Sequence, residues 1–253
     1  MKFATWNVNG IRARQAQIQE WIGRERPDVF CLQELKATTD QISTALWEME
    51  GYCCYWHGGK AYSGVGVMVH ESLAALMPGR PVFAHPDFDY ENRIVTVDLS
   101  TPVGNVTVAS IYVPNGGKDF QAKMRFLEAM DAYAGANAAG AIVLMGDLNV
   151  ARTERDVHPK ERKPRAIGQL PEERALFERI IGRGLVDLGR QFDPDNDGLF
   201  TWWAPWRNMR QRNIGWRLDY VLASAPLATR ARSCIVDRDF GTSDHAPVVA
   251  TFE

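Results

Sequence analysis

The stretch AIVLMGDLNV, Ala141 to Val150, constrains this chain more than any other. Its first five residues, Ala141 to Met145, are an apolar run of the length expected for a strand buried on both faces. Gly146 ends the run, and Asp147 and Asn149 follow. A buried strand that closes on a glycine, an acid and an amide delivers two polar side chains to a sheet edge, where open α/β folds place their chemistry. Other polar residues are expected to converge on that edge.

With 253 residues and 45% hydrophobic content, the chain can bury a sizeable core. No linker divides it, so a single domain over residues 1–253 is expected. A formal charge of -2 excludes a global basic field, and any nucleic-acid surface has to be a local patch. Cys31, Cys53, Cys54 and Cys234 form no CxxC pair, which favours reduced structural thiols over disulfides or zinc. No apolar run approaches the roughly 18 residues of a membrane span, and the N-terminus enters a strand pattern without a signal-peptide layout. A cytoplasmic protein with no membrane partner is expected.

Lys2 to Val8 reads as a strand opening into Asn7, Asn9 and Gly10, and a helix follows from Ile11 until Pro27 stops it. Asp28 to Leu32 is again a buried-strand run, ending in Gln33 and Glu34. FCLQELK (Phe30 to Lys36) and VLMGDLN (Val143 to Asn149) share a pattern of apolar run, acid, leucine and polar residue, which suggests an internal duplication with a carboxylate at each strand end. Thr39 to Glu50 and Asp119 to Asn137 read as helices. Tyr52 to His57, Val65 to His70, Arg93 to Leu99 and Asn105 to Val113 read as strands, the last pair a hairpin around Pro102 and Gly104. Ala151 to Leu170 is a long loop of the kind that is functional or disordered. A helix starting at Pro171, a strand from Leu218 carrying Asp219, and a last strand, Pro247 to Phe252, complete the pattern of mixed sheets covered by helices.

Leu199 to Leu218 has the most unusual composition. It holds Trp202, Trp203, Trp206 and Trp216 with Arg207, Arg210, Arg212 and Arg217, and no acid. Aromatics interleaved with arginines suit a surface that stacks on bases or sugars while pairing with phosphates. One or two of these tryptophans, Trp203 first, are expected in the core, whereas a core does not need four arginines.

The polar residues at strand ends are Asn7, Glu34, Tyr112, Asp147, Asn149, Asp219, Asp244 and His245. Taken singly, Glu34 or Asp219 would read as a surface acid, His245 as a structural histidine and Asn7 or Asn149 as a turn residue; their joint placement is what points to a site. Phosphodiester cleavage needs a positioned water, charge neutralisation and help for the leaving oxygen. A hard divalent ion held by carboxylates supplies part of this. The chain has no HExxH, no zinc-type Cys/His spacing, no P-loop and no nucleophile elbow, which leaves metal-assisted hydrolysis.

The motifs WNVNGIR (Trp6 to Arg12), LQELK (Leu32 to Lys36), YSGVGV (Tyr62 to Val67), YVPNG (Tyr112 to Gly116), GDLNVA (Gly146 to Ala151), GWRLDY (Gly215 to Tyr220) and SDHAPV (Ser243 to Val248) resemble those of the exonuclease III family of abasic-site endonucleases, in that family's order. The resemblance implies a four-layer α/β sandwich of the DNase I type, two packed mixed sheets flanked by helices and related by an approximate dyad. It implies Glu34 as the principal magnesium ligand, with Asn7 and Asp244 near the ion and manganese able to substitute. Asp147 would orient or deprotonate the attacking water, Asn149 would hold the phosphate, and Tyr112 would contact the phosphate or the leaving oxygen. His245, oriented by Asp219, would stabilise transition-state charge or act as the base.

By the same resemblance, Trp202 and Trp216 wall a pocket for a flipped-out abasic sugar, too small for a nucleotide with its base. Trp206 and Lys118 fall where relatives insert a side chain into the duplex, and Arg152 and His158 lie in a loop that relatives lay on DNA. Arg207 and Arg210 join the expected DNA contacts. The implied partner of this monomer is double-stranded DNA with abasic sites or blocked 3′ ends. The rivals are a lipid or inositol phosphodiesterase, which should offer an apolar insertion loop, and a dead DNA-binding module, which should carry a lesion among the polar positions.

Overall fold

A computed structural model describes residues 1–60 and 62–253 of the chain. The first half runs β1 (Lys2–Asn7), α1 (Ile11–Glu25), β2 (Val29–Gln33), α2 (Thr44–Trp47), β3 (Tyr52–His57), β4 (Val65–His70) and α3 (Glu71–Ala74). The second runs β5 (Phe83–Ala84), β6 (Ile94–Thr101), β7 (Gly104–Tyr112), α4 (Phe120–Ala136), β8 (Ile142–Asp147), α5 (Pro171–Ile181), β9 (Leu185–Asp187), α6 (Leu188–Phe192), β10 (Asp219–Ser224), α7 (Ala225–Ala228), β11 (Ala231–Val236) and β12 (Val248–Phe252).

Alternation along the strands decides the layers. Phe3, Cys31, Val108, Val143 and Met145 face one shared core between two sheets. Their neighbours Ala4, Trp6, Phe30 and Leu32 face outward onto Ile11, Ile18, Trp21 and Ile22 of α1. On the other side Ala109, Ile111 and Leu144 pack under Phe126, Leu127 and Met130 of α4 and Leu176, Phe177 and Ile180 of α5. The result is helix, sheet, sheet, helix: the expected four-layer α/β sandwich, in which each helix buries one apolar stripe.

Among the described residues the sheets have six strands each, ordered β11-β12-β1-β2-β4-β3 and β5-β6-β7-β8-β10-β9. In each, one parallel pair is joined by a helical crossover, β1–α1–β2 and β7–α4–β8. The second strand of each pair is flanked on its other side by an antiparallel neighbour, β4 or β10. The suspected duplication therefore extends to the topology. It reaches the backbone too: Lys36 and Asn149, equivalent in the two motifs, both adopt left-handed conformations at φ 50. Gly146 sits at φ 143, and a Cβ there would lie 2.0 Å from the Ile111 carbonyl oxygen, so no other residue fits this strand pair undistorted.

One expectation changes, and two regions gain detail. Thr39 to Glu50 is not one helix: a 3-10 turn at Thr39–Gln41 stops, and Ser43 restarts the chain as α2 by accepting a hydrogen bond from the Ala45 N–H. The segment 151–170 is ordered, with 3-10 turns at Glu154–Asp156 and Pro159–Glu161, and a bridge pairs its Val157 with Trp216. The short elements β9, α6 and β11 carry too little periodicity to be read from the sequence.

Candidate active site

The inward-facing positions that carry valines deep in the core carry polar groups at one end. Thr5 and Asn7 of β1, Gln33 of β2, Ser110 and Tyr112 of β7 and Asp147 of β8 are all buried there. Gln33 joins the sheets: its side chain accepts from Thr5 Oγ1 at 3.0 Å and donates to Ser110 Oγ at 3.1 Å. Because Gln33 already points inward, a regular strand would turn the next residue away. Glu34 instead adopts φ 53, which breaks the alternation and brings its carboxylate to Asn7.

Asn7 is the hub. Its Nδ2 donates to Glu34 Oε1 at 3.0 Å and to Asp147 Oδ2 at 2.8 Å. With its amide protons on both carboxylates, it spaces the candidate metal ligands. Its backbone oxygen accepts from Ser243 Oγ at 2.7 Å, and the same hydroxyl accepts from the His245 N–H at 3.2 Å, fixing the SDHAPV turn to β1. Tyr112, next to Asp147 in the register, is buried. Burial, then Glu34 and Asp147, push its pKa up, so its phenol keeps a proton to donate.

His245 Nδ1 lies 2.8 Å from Asp219 Oδ2, and His245 Nε2 lies 3.8 Å from Asp147 Oδ2. Burial opposes a charge on this ring, but Asp219 and then Asp147 overcome it and push its pKa up to about 10. Burial pushes Asp147 up to about 7, against the pull of His245 and helped by Asp219 and Glu34. Burial also disfavours charge on Glu34, yet hydrogen bonds from Asn7 and Lys36 hold its pKa below the usual value. At neutral pH the histidine is thus an imidazolium and Asp147 is the group poised to exchange a proton.

Asn149 carries a finding the sequence does not. Its Nδ2 donates to the Val113 carbonyl at 3.0 Å and to Asp147 Oδ2 at 3.2 Å, and its backbone N–H donates to Asp147 Oδ1 at 2.9 Å. It therefore orients Asp147. Asp244, expected near the ion, accepts from Asn9 Nδ2 at 2.8 Å through Oδ1 and from Trp202 Nε1 at 2.9 Å through Oδ2. At this centre, among the described residues, the atoms that cluster as possible metal donors belong to Glu34, Asp147 and His245. With His245 protonated, Glu34 and Asp147 remain, and they suit a hard cation. Burial first, and then the charges of Asp219 and Glu34, raise the Asp147 pKa, and a bound cation would offset both.

Trp202 and Trp216 flank this centre. Their rings meet edge to face at 5.8 Å between centroids, and the Trp202 ring lies 6.5 Å from that of His245. Backbone bridges pair Trp202 with both Trp216 and His245, so the wall and the catalytic turn are one unit. Trp203 is core, 1% exposed, and Trp206 is 60% exposed. Lys118 Nζ lies 5.2 Å from the Tyr62 ring centroid, at a pocket of about 470 Å³ that Arg93 and Tyr112 also line. His158 caps the 3-10 turn that follows it, accepting from the Lys160 N–H at 3.2 Å. Arg207 is exposed.

Two arginines of the tryptophan-rich segment are held by the protein itself. Arg210 donates to the backbone oxygens of Arg238, Phe240, Gly241 and Ser243 and stacks on Trp203 at 5.0 Å. Arg217, 2% exposed, pairs with Asp156 at 2.8 Å and Asp187 at 2.7 Å. Arg152 is bound as well, to Glu178 at 2.7 Å and Asp187 at 3.4 Å. Sequence reading also passed over Lys123, buried against Glu173 at 2.5 Å, which donates to the Asn149 carbonyl at 2.7 Å and so anchors the loop after Asp147.

Residues 4–245 match the Endonuclease/Exonuclease/phosphatase family. The chain is 34% identical to an exodeoxyribonuclease of Bacillus subtilis over 98% of both sequences. Among solved structures it is similar to the 3′ phosphatase NExo from Neisseria bound to product DNA hairpin, with TM-score 0.88 and 30% identity over 100% of this chain and 99% of the other. It is equally similar in fold to an AP endonuclease from Archaeoglobus fulgidus, with TM-score 0.88 and 28% identity over 100% and 99%.

Proposed function

The chain belongs to the Endonuclease/Exonuclease/phosphatase family, and from that premise we propose that it is a cytoplasmic DNA-repair hydrolase that cuts the backbone 5′ to an abasic site in duplex DNA. The products are a 3′-hydroxyl and a 5′-deoxyribose phosphate. The same centre removes blocking groups from 3′ ends and can degrade duplex DNA from them. The observation that carries this reading is the union of an Asp219–His245–Asp147 relay with the Trp202–Trp216 wall, since lesion recognition and hydrolysis then share one turn of chain.

Glu34 and Asp147 would hold magnesium, which when bound supplies positive charge against the phosphate. Manganese, with the same preference for oxygen donors, would substitute. Asp147, oriented by Asn7 and Asn149, accepts the proton of the attacking water. The His245 imidazolium, held by Asp219, offsets charge that builds on the phosphoryl oxygens, and the Tyr112 phenol donates toward the phosphate or the leaving oxygen. In this reading the Trp202–Trp216 wall would receive a bare deoxyribose and exclude one that still carries its base.

A duplex oligonucleotide carrying one abasic analogue, incubated with magnesium and separately with chelator, tests the reading. A single magnesium-dependent nick on the 5′ side of the lesion supports it, and lesion-independent or chelator-resistant cleavage contradicts it.

A further inference from the structure

A second group of metal-binding side chains comes together away from the catalytic carboxylates. His57 ends β3, His85 follows β5, and Asp89 lies in the turn before β6. One donor atom from each falls within 4.8 Å of the other two. The two imidazole rings lie with centroids 3.8 Å apart, tilted by 31°, and His57 Nε2 lies 2.6 Å from Asp89 Oδ2.

The supporting contacts are those that metal ligands need. Asp89 Oδ1 accepts from the Arg93 N–H at 2.8 Å and the Ile94 N–H at 3.1 Å, which fixes the carboxylate and leaves Oδ2 directed at His57. His85 Nδ1 lies 3.2 Å from the Ile94 carbonyl, where it can only donate, so Nε2 carries the lone pair. The Tyr55 hydroxyl holds that lone pair at 2.8 Å and is readily displaced by a cation. Asn92 Nδ2 lies 3.2 Å from the His57 ring nitrogens, where it can donate only to an unprotonated one.

We propose that His57, His85 and Asp89 form a second metal site for a borderline transition ion such as zinc. Two imidazoles and one carboxylate, with water in a fourth position, match that ion's preferences, whereas magnesium favours the oxygen donors of Glu34 and Asp147. The ion would replace the hydrogen between His57 and Asp89 and tie β3 of one sheet to the β5–β6 connection of the other. In the register His57 pairs with Val65, which pairs with Gln33, so the tie lies at the catalytic end, two strands or about 10 Å from Gln33. Asp89 also holds the backbone of Arg93, whose guanidinium stacks on the Tyr112 ring at 4.7 Å. Occupancy therefore stiffens the wall behind Tyr112.

The test uses the full chain, stripped with chelator, returned to excess magnesium, and titrated with zinc by calorimetry and with cobalt by visible absorption. His85→Ala, an exposed position, and Glu34→Gln are titrated alongside. Expected are about one equivalent of zinc and a tetrahedral-type cobalt band in the wild type and in Glu34→Gln, with at least about tenfold weaker binding in His85→Ala. Zinc should raise the melting temperature of the wild type and not that of His85→Ala. Unchanged binding in His85→Ala, loss of binding in Glu34→Gln, or no uptake by the wild type each overturns the proposal.

Discussion

His245 and Asp219 are a buried pair, Nδ1 to Oδ2 at 2.8 Å, and the pair faces Asp147 across 3.8 Å. The aspartate keeps the imidazole charged: with it, the ring's pKa is pushed up to about 10. Asp219→Asn removes the counter-charge while keeping the shape. The incision rate should fall on the order of 10²–10⁴-fold. The loss should deepen as pH rises from 6 to 9, because the variant's histidine now loses its proton within that range. Single-turnover rates across this range decide the matter, and a rate within about tenfold of wild type throughout would contradict it.

The tryptophans separate pocket from core. Trp203→Ala empties a fully buried site and should cost about 3–5 kcal/mol in urea unfolding. Trp216 is half-buried, and its Nε1 has no hydrogen-bond partner among the described residues. Trp216→Ala should leave the unfolding midpoint near wild type and weaken abasic incision more than affinity for intact duplex. Equal losses in incision and intact-duplex affinity would make Trp216 merely structural.

Burial works against charge on Asp156, yet Arg217 and then Arg190 hold its pKa down to about 2. A carboxylate depressed in the folded state contributes stability that is fully present above its unfolded pKa, near 4, and is lost as pH falls through the folded value. Unfolding free energy should therefore drop by about 2 kcal/mol from this group between pH 4 and pH 2. Asp156→Asn, which leaves Arg217 only its pair with Asp187, should cost about 1–3 kcal/mol at pH 7 and flatten that part of the profile. Parallel wild-type and variant slopes in acid would refute the assignment.

The catalytic end was legible because strand alternation and strand termini are local. FCLQELK and VLMGDLN mark where carboxylates leave a sheet, and Glu34, Asp147, Asp219 and His245 do meet. The partners of each side chain were not legible, because they depend on residues far apart in the chain. Arg217 and Asp156 are 61 positions apart, and nothing local distinguishes an arginine bound inside from one reaching toward DNA. The same distance hid the use of Asp244 by Trp202, the use of Asn149 by Asp147's own support, and the Gln33 bridge between sheets.

The most direct measurement compares wild type with Asp147→Ala on a duplex bearing one abasic analogue in magnesium, following cleavage on a denaturing gel and binding by mobility shift. The wild type should incise 5′ to the lesion, and Asp147→Ala should give no detectable incision while retaining lesion binding. Full incision by Asp147→Ala would contradict the proposed role of Asp147.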